Sequence, residues 1–236
     1  MRPSNRSSDQ IREVTIITNV NKYAEGSCLV KFGETHVLCI ASIEEKIPPF
    51  LRNTGQGWVS AEYSMLPRAT QTRNNRDNVS KPNGRALEIQ RLIGRSLRSV
   101  IDMKKLGERQ ITIDCDVLQA DGGTRCASIT GGFVALSLAI KTLMNKGILK
   151  QNPLIGSVSA VSCGVFNGEV VADLDYAEDS KCEVDTNFVI NQNFDLIEIQ
   201  GTAENGAMSF EKVGKMYELA KKAAKEIAEI QKKAIG

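Results

Sequence analysis

The chain has 236 residues, 42% of them hydrophobic and 25% charged, enough for one large domain or two closely packed halves around a sizeable core. A formal net charge of +2 argues against a globally basic, purely electrostatic nucleic-acid binder. The single histidine, His36, rules out two-histidine RNA cleavage, so acid–base or metal chemistry falls mainly to carboxylates.

In chain order, Met1 to Asp9 is polar, with no apolar signal core, and no run approaches roughly 18 uninterrupted apolar residues; a soluble cytoplasmic protein is expected. Strand-like runs follow at Glu13–Asn19 and Ser27–Phe32, then a Gly33-Glu34 turn and a further strand at Thr35–Ile43 that contains His36. Pro48, Pro49, Gly55 and Gly57 mark a loop before a strand at Val59–Met65. Residues 67–81 are polar and arginine-rich and predict a mobile loop. The pattern turns helical from about Asn83 to Asp102, with Leu87, Ile93, Leu97 and Ile101 near one face. Ile111–Leu118 alternates as a strand, Asp121-Gly122-Gly123 turns the chain, and a helix is expected from about Arg125 to Asn145, where Gly131-Gly132 implies close packing. The second half opens with strands at Val158–Val165 and Glu169–Leu174 around an Asn167-Gly168 hairpin signal. Strands at Val184–Ile190 and Asp195–Gly201 and a helix from about Ser209 to Lys232 complete it.

Val30-Lys31-Phe32-Gly33-Glu34 and Val165-Phe166-Asn167-Gly168-Glu169 echo each other weakly as strand, turn, strand. The expected class is α/β (α+β) with mixed or antiparallel sheets. Neither GxGxxG nor GxxxxGK[ST] occurs, which disfavours a nucleotide-cofactor fold. Six scattered cysteines without CxxC spacing read as free buried thiols in a reducing compartment; Cys126 gains acidity if it sits at a helix N-terminus.

Four features carry chemistry. Asp121-Gly122-Gly123-Thr124-Arg125, between strand and helix, offers close backbone approach, free N–H groups, a capping or donating hydroxyl on Thr124 and a guanidinium on Arg125, all suited to phosphate; the plain alternative is a capped glycine turn. Arg85, just inside the preceding helix, adds positive charge for the same anion. The acidic string Asp173 to Asp179, followed by Asp185, suits a divalent cation such as Mg²⁺ or general-acid work, or is a solvated turn. Residues 68–98 hold eight Lys/Arg opposed only by Asp77 and Glu88, and Arg68, Arg73 and Arg76 on the polar loop suit a phosphodiester backbone.

These residues fall within longer strings. Met1 to Arg6, Met65 to Thr70, Gly84-Arg85 with Glu88 to Arg98, Asp114 to Arg125, and Asp175 to Ser180 with Asp185 together resemble the RNase PH family of bacterial phosphorolytic 3′ exoribonucleases, and the similarity runs over essentially the whole chain. The resemblance implies one domain of two duplicated halves, about 1–147 and 148–236, each like a small-subunit ribosomal protein domain. It implies a homohexameric ring built as a trimer of dimers. Arg85, Gly123, Thr124 and Arg125 would hold the attacking inorganic phosphate, Asp179 and Asp185 would ligate Mg²⁺ or act as general acid, and Arg68, Arg73 and Arg76 would guide the 3′ end of a tRNA precursor. A non-catalytic RNA-binding ring subunit is the alternative; such members lack the phosphate arginine or the acidic pair, and both are present here. Ser180-Lys181-Cys182 departs from the family's usual Ser-His-Ala, a change expected to be tolerated.

Overall fold

The computed structural model describes residues 2–76, 83–204 and 206–236. Its first sheet is built from β1 (Val14–Thr18), β2 (Gly26–Phe32), β3 (Thr35–Glu44), β4 (Trp58–Met65) and β5 (Gln110–Gln119), in the order β1-β2-β3-β5-β4. Neighbours are antiparallel except β4 and β5, which run parallel and need a crossover. That crossover holds α1 (Gly84–Arg98) and the single turn α2 (Met103–Leu106). The predicted helix over 83–102 therefore ends early: Ile101 bridges Leu154, and Asp102 caps α2, its Oδ1 accepting from the N–H groups of Lys104 and Lys105. The part of the arginine-rich loop at 77–82, with Asp77 and Lys81, lies outside the described residues.

The alternation read in β5 buries Ile111, Ile113, Cys115 and Val117 against α3 (Thr124–Asn145). This helix is long and apolar enough by composition to cross a membrane, yet 89% of its most apolar stretch is buried inside the fold. Gly131 explains how it lies so close to the sheet. A Cβ there would come within 2.6 Å of Val30 and 2.7 Å of Cys39, so only glycine fits.

The second sheet is antiparallel, ordered β7-β6-β8-β9, from β6 (Val158–Phe166), β7 (Glu169–Ala172), β8 (Val184–Asn191) and β9 (Leu196–Ala203). Asn167 and Gly168 both have positive φ (51° and 79°), the geometry of a two-residue hairpin turn. Every residue of β6 is buried, because α3 and the closing helix α5 (Phe210–Ile235) both pack on it. β7 stops at Ala172 instead of Leu174, where Asp173 adopts φ 53° and turns the chain towards α4 (Tyr176–Asp179). All six cysteines are free and buried, as expected.

Candidate active site

One cleft of about 440 Å³ opens between the two sheets. Its wall includes Arg85 from α1, the loop Asp121 to Gly123, Thr124 and Arg125 of α3, Ser162 of β6, Tyr176 and Asp179 of α4, and Asp185 and Asn187 of β8. Six expected site residues (Arg85, Gly123, Thr124, Arg125, Asp179 and Asp185) thus meet in one space although up to 100 residues separate them. Arg68, Arg73 and Arg76 are exposed and are not part of the wall, while Thr70, Gln71 and Thr72 of the same loop are. His36 stands half-buried in β3, paired across the sheet with Lys31 and Gln119, outside the cleft.

The glycine loop takes two successive left-handed residues, Gly122 (φ 79°) and Gly123 (φ 67°), and α3 starts at Thr124. Thr124 does not cap the helix as its position allowed. The N-cap is Gly123, which has no side chain to accept, and Thr124 Oγ1 instead shares a 2.9 Å hydrogen bond with Tyr63 Oη. The first intrahelical bond runs from Ala127 N–H to Gly123 O, so the N–H groups of the first turn have no helical acceptor. An uncapped helix start beside a pair of left-handed glycines is suited to an anion.

The two arginines are held differently. Arg85 is exposed on the first turn of α1, whose N-cap Asn83 accepts from the Arg85 backbone N–H at 3.0 Å. Arg125 is mostly buried: its Nη1 donates to Gln200 Oε1 at 3.0 Å and lies 3.6 Å from Glu88 Oε1. Both weigh on the acidic pair. Burial, then the neighbouring charge of Asp179, push the Asp185 carboxyl up to about 6, against the pull of Arg125, an Asn187 hydrogen bond and Arg85. Burial also raises Asp179, opposed by Arg85 and Arg125.

The acidic string is not one cluster. Asp173, Asp175 and Glu178 are turned towards the N-terminal segment, where Arg2 pairs with Glu178 at 2.6 Å, Arg12 with Asp173 at 2.7 Å, and Arg6 with all three at 3.1–3.2 Å. A capping box between Asp175 and Glu178 starts α4, and one residue further on Asp179 faces the cleft. Lys181 is exposed, while Cys182 Sγ donates to Asp179 O at 3.2 Å. Cys126 is not an acidic thiol: burial raises it well above the ordinary range, and its Sγ donates to Asn187 Oδ1 at 3.2 Å.

Sequence reasoning missed Ser162, Asn187 and Gln200. Asn187 was within reach, since it lies two residues past Asp185 on the same face of a strand. Ser162 and Gln200 face Asn187 from the neighbouring strands by register, and cross-strand register is not written in local sequence.

Residues 10–141 match the 3′ exoribonuclease family, domain 1, and residues 156–223 match domain 2 of the same family. The chain is 57% identical to Ribonuclease PH of Cereibacter sphaeroides and to that of Caulobacter vibrioides, each over 237 residues and the full length of both chains. Among solved structures it is similar to rice Rrp46 (TM-score 0.80, 19% identity, 100% of each chain). It is also similar to the Archaeoglobus fulgidus exosome with RNA bound to the active site (TM-score 0.82, 20% identity, 97% of this chain and 91% of that one). At these identities the structural likeness speaks for the fold alone. The chain belongs to the RNase PH family of 3′ exoribonucleases.

Proposed function

We propose that this chain is a phosphorolytic 3′-to-5′ exoribonuclease that trims tRNA precursors. The observation that carries this reading is the meeting, in one cleft, of an uncapped helix start, two arginines and a carboxyl pair with raised pKa values. Inorganic phosphate, held by the Gly123 and Thr124 backbone, Arg125 and Arg85, attacks the phosphorus of the last phosphodiester. The bond from that phosphorus to the 3′ oxygen of the preceding nucleotide breaks. A nucleoside diphosphate leaves, and the shortened RNA keeps a 3′ hydroxyl once its oxygen takes a proton. Asp185, with a carboxyl pushed up to about 6, is the group suited to give that proton. The phosphate is already an anion near neutral pH, so no strong base is needed, consistent with a single histidine outside the cleft. Phosphorolysis is close to balanced, so the enzyme also adds nucleotides from diphosphates.

The carboxyl pair fits Mg²⁺. The Asp185 carboxylate, whose pKa the neighbouring Asp179 raises, gains from a cation between the two, and Mg²⁺ typically takes only one or two carboxylates and keeps water for its other positions. As the alternative to general-acid work, Asp179 and Asp185 in their ionised forms would hold the ion, whose charge would offset the repulsion between the two phosphates. Arg68, Arg73 and Arg76, exposed on the loop whose residues 70–72 reach the cleft, would lead the RNA 3′ end inwards. We read the chain as one domain of two halves, 1–147 and 148–236, that assembles as a homohexamer, a trimer of dimers, in the cytoplasm. Six free cysteines suit that reducing compartment.

Incubating the protein with RNA and Mg²⁺, with and without inorganic phosphate, tests the reading. Phosphate-dependent release of nucleoside diphosphates is expected. Unchanged RNA in both arms would favour a non-catalytic ring subunit, and monophosphates without phosphate would mean hydrolysis.

A further inference from the structure

Behind the glycine loop, on the side away from the cleft, lies a second set of contacts. Arg12 is 8% exposed and grips Asp173 through two parallel hydrogen bonds, Nε to Oδ2 at 2.9 Å and Nη2 to Oδ1 at 2.7 Å. Its backbone N–H also donates to Asp173 Oδ2 at 2.7 Å. With the guanidinium fixed, Nη1 reaches Asp121 O at 2.5 Å, and Nη1 and Nη2 reach Gly122 O at 3.5 and 3.4 Å. Thr35, fully buried at the start of β3, shares the second of these peptides and holds the one before the first: its Oγ1 donates to Gly122 O at 2.6 Å and accepts from Asp121 N–H at 2.9 Å.

A trans peptide points its C=O and N–H in opposite directions. Carbonyls of Asp121 and Gly122 anchored on Arg12 and Thr35 therefore turn the N–H groups of Gly122 and Gly123 away from them. Arg12 and Thr35 are not in the cleft wall, whereas both glycines are. Glycines at φ 79° and 67° lack the Cβ that resists rotation, so the loop's own preference does not fix these peptides. A flip of either one would place a carbonyl oxygen where the anion is to sit. We infer that Arg12, steadied by Asp173 and assisted by Thr35, is a positioning residue that locks the glycine loop in its anion-accepting orientation. The lock acts on phosphate, not on RNA or the proton donor. This inference rests on the proposed use of the loop for phosphate.

Arg12→Lys keeps the charge but cannot span both Asp173 and two carbonyls. Thr35→Val keeps the shape and loses both hydrogen bonds. For each variant, the phosphate KM and kcat are measured at saturating RNA, the RNA KM at saturating phosphate, and the rise in Tm given by inorganic phosphate alone. The phosphate KM should rise roughly tenfold or more, as expected for losing hydrogen bonds that hold a charged-ligand site. The kcat at saturating phosphate and the RNA KM should stay within about twofold, and the phosphate-induced Tm rise should shrink in parallel. Wild-type phosphate KM and wild-type Tm rise in a folded variant would overturn the inference, as would equal loss in the RNA KM. If Arg12→Lys does not fold, Thr35→Val decides alone. A wild-type protein that phosphate stabilises but that releases no diphosphate would sink the proposed activity and leave the loop's role readable in Tm. A wild-type protein that phosphate does not stabilise would sink the loop's role itself.

Discussion

Replacing Asp185 with asparagine should stop turnover and make the protein more stable. The Asp185 carboxyl is pushed from an ordinary 3.8 up to about 6, chiefly by burial and by Asp179. Between those two pH values the folded chain holds a proton that the unfolded chain has lost, so wild-type stability falls as pH rises through the window. Two pKa units correspond to about 2.7 kcal/mol at about 1.36 kcal/mol per unit, and partial solvent access trims this to roughly 2 kcal/mol. Asp185→Asn removes the charge at almost constant shape. Its gain should be near zero at pH 4, grow up to about pH 6 and stay level above it. For a chain of this length that is a Tm rise of roughly 4–8 °C at pH 8. Thermal unfolding followed by circular dichroism, at one protein concentration in phosphate-free buffer with a chelator, measures it. Mg²⁺ should raise the Tm of the wild type more than that of the variant. A variant equally or less stable at pH 8 would refute the reasoning, because the carboxyl pair would then carry no electrostatic strain.

Arg125→Ala should raise the phosphate KM roughly ten- to a hundredfold and leave the RNA KM nearly unchanged, as steady-state phosphorolysis at varied phosphate would show. Gly122→Ala forces an L side chain to φ 79° and a Cβ to 2.8 Å from Leu174 O and Asp175 C; expect activity to collapse and Tm to fall, visible in one melting curve and one assay. Asp173→Asn breaks the buried pair with Arg12 and should cost about 3–5 kcal/mol at pH 7. Burial pushes the Asp173 carboxyl up, but its hydrogen bonds with Arg12 and the charges of Arg12 and Arg6 together outweigh that and hold it below its ordinary 3.8. Its contribution is therefore present above the ordinary value of 3.8 and lost as pH falls through the lowered one, so wild type and variant should converge in urea unfolding as the pH is taken down through that range.

Periodicity places β5 and α5, whose alternation and helical spacing report one buried face each, whereas β8 and α3 are buried nearly all round and show through apolar content and length. It fails at Ser99 to Asp102, where a tertiary bridge from Ile101 to Leu154 ends a helix that local pattern would continue. The candidate site was legible unevenly. The glycine loop reads from its chemistry as a candidate anion site or a plain capped turn, but Arg85 as an isolated residue near a helix end signals neither, and only the long matched strings single it out. Asp173 to Asp179 reads as one acidic stretch; its division depends on arginines more than 160 residues away, for which local sequence holds no signal. The same separation hid Arg12.

That division has a consequence for the field in the cleft. Arg2, Arg6 and Arg12 are matched by Asp173, Asp175 and Glu178, all largely withdrawn from solvent, so these six charges cancel at short range and project little into the site. The charged residues that remain in the cleft wall are Arg85, Arg125, Asp121, Asp179 and Asp185. Among the described residues Arg85 forms no ion pair, and the Glu88 carboxylate nearest Arg125 is 55% exposed at 3.6 Å, a contact worth at most about 1 kcal/mol in a high dielectric. Arg125 therefore keeps most of its charge for a ligand while Gln200 fixes its direction. The strain left on Asp179 and Asp185 is the complement of this arrangement. A site kept positive on one wall and proton-holding on the other can draw in an anion and still release a protonated leaving group, and the paired arginines behind it keep the chain folded around that imbalance.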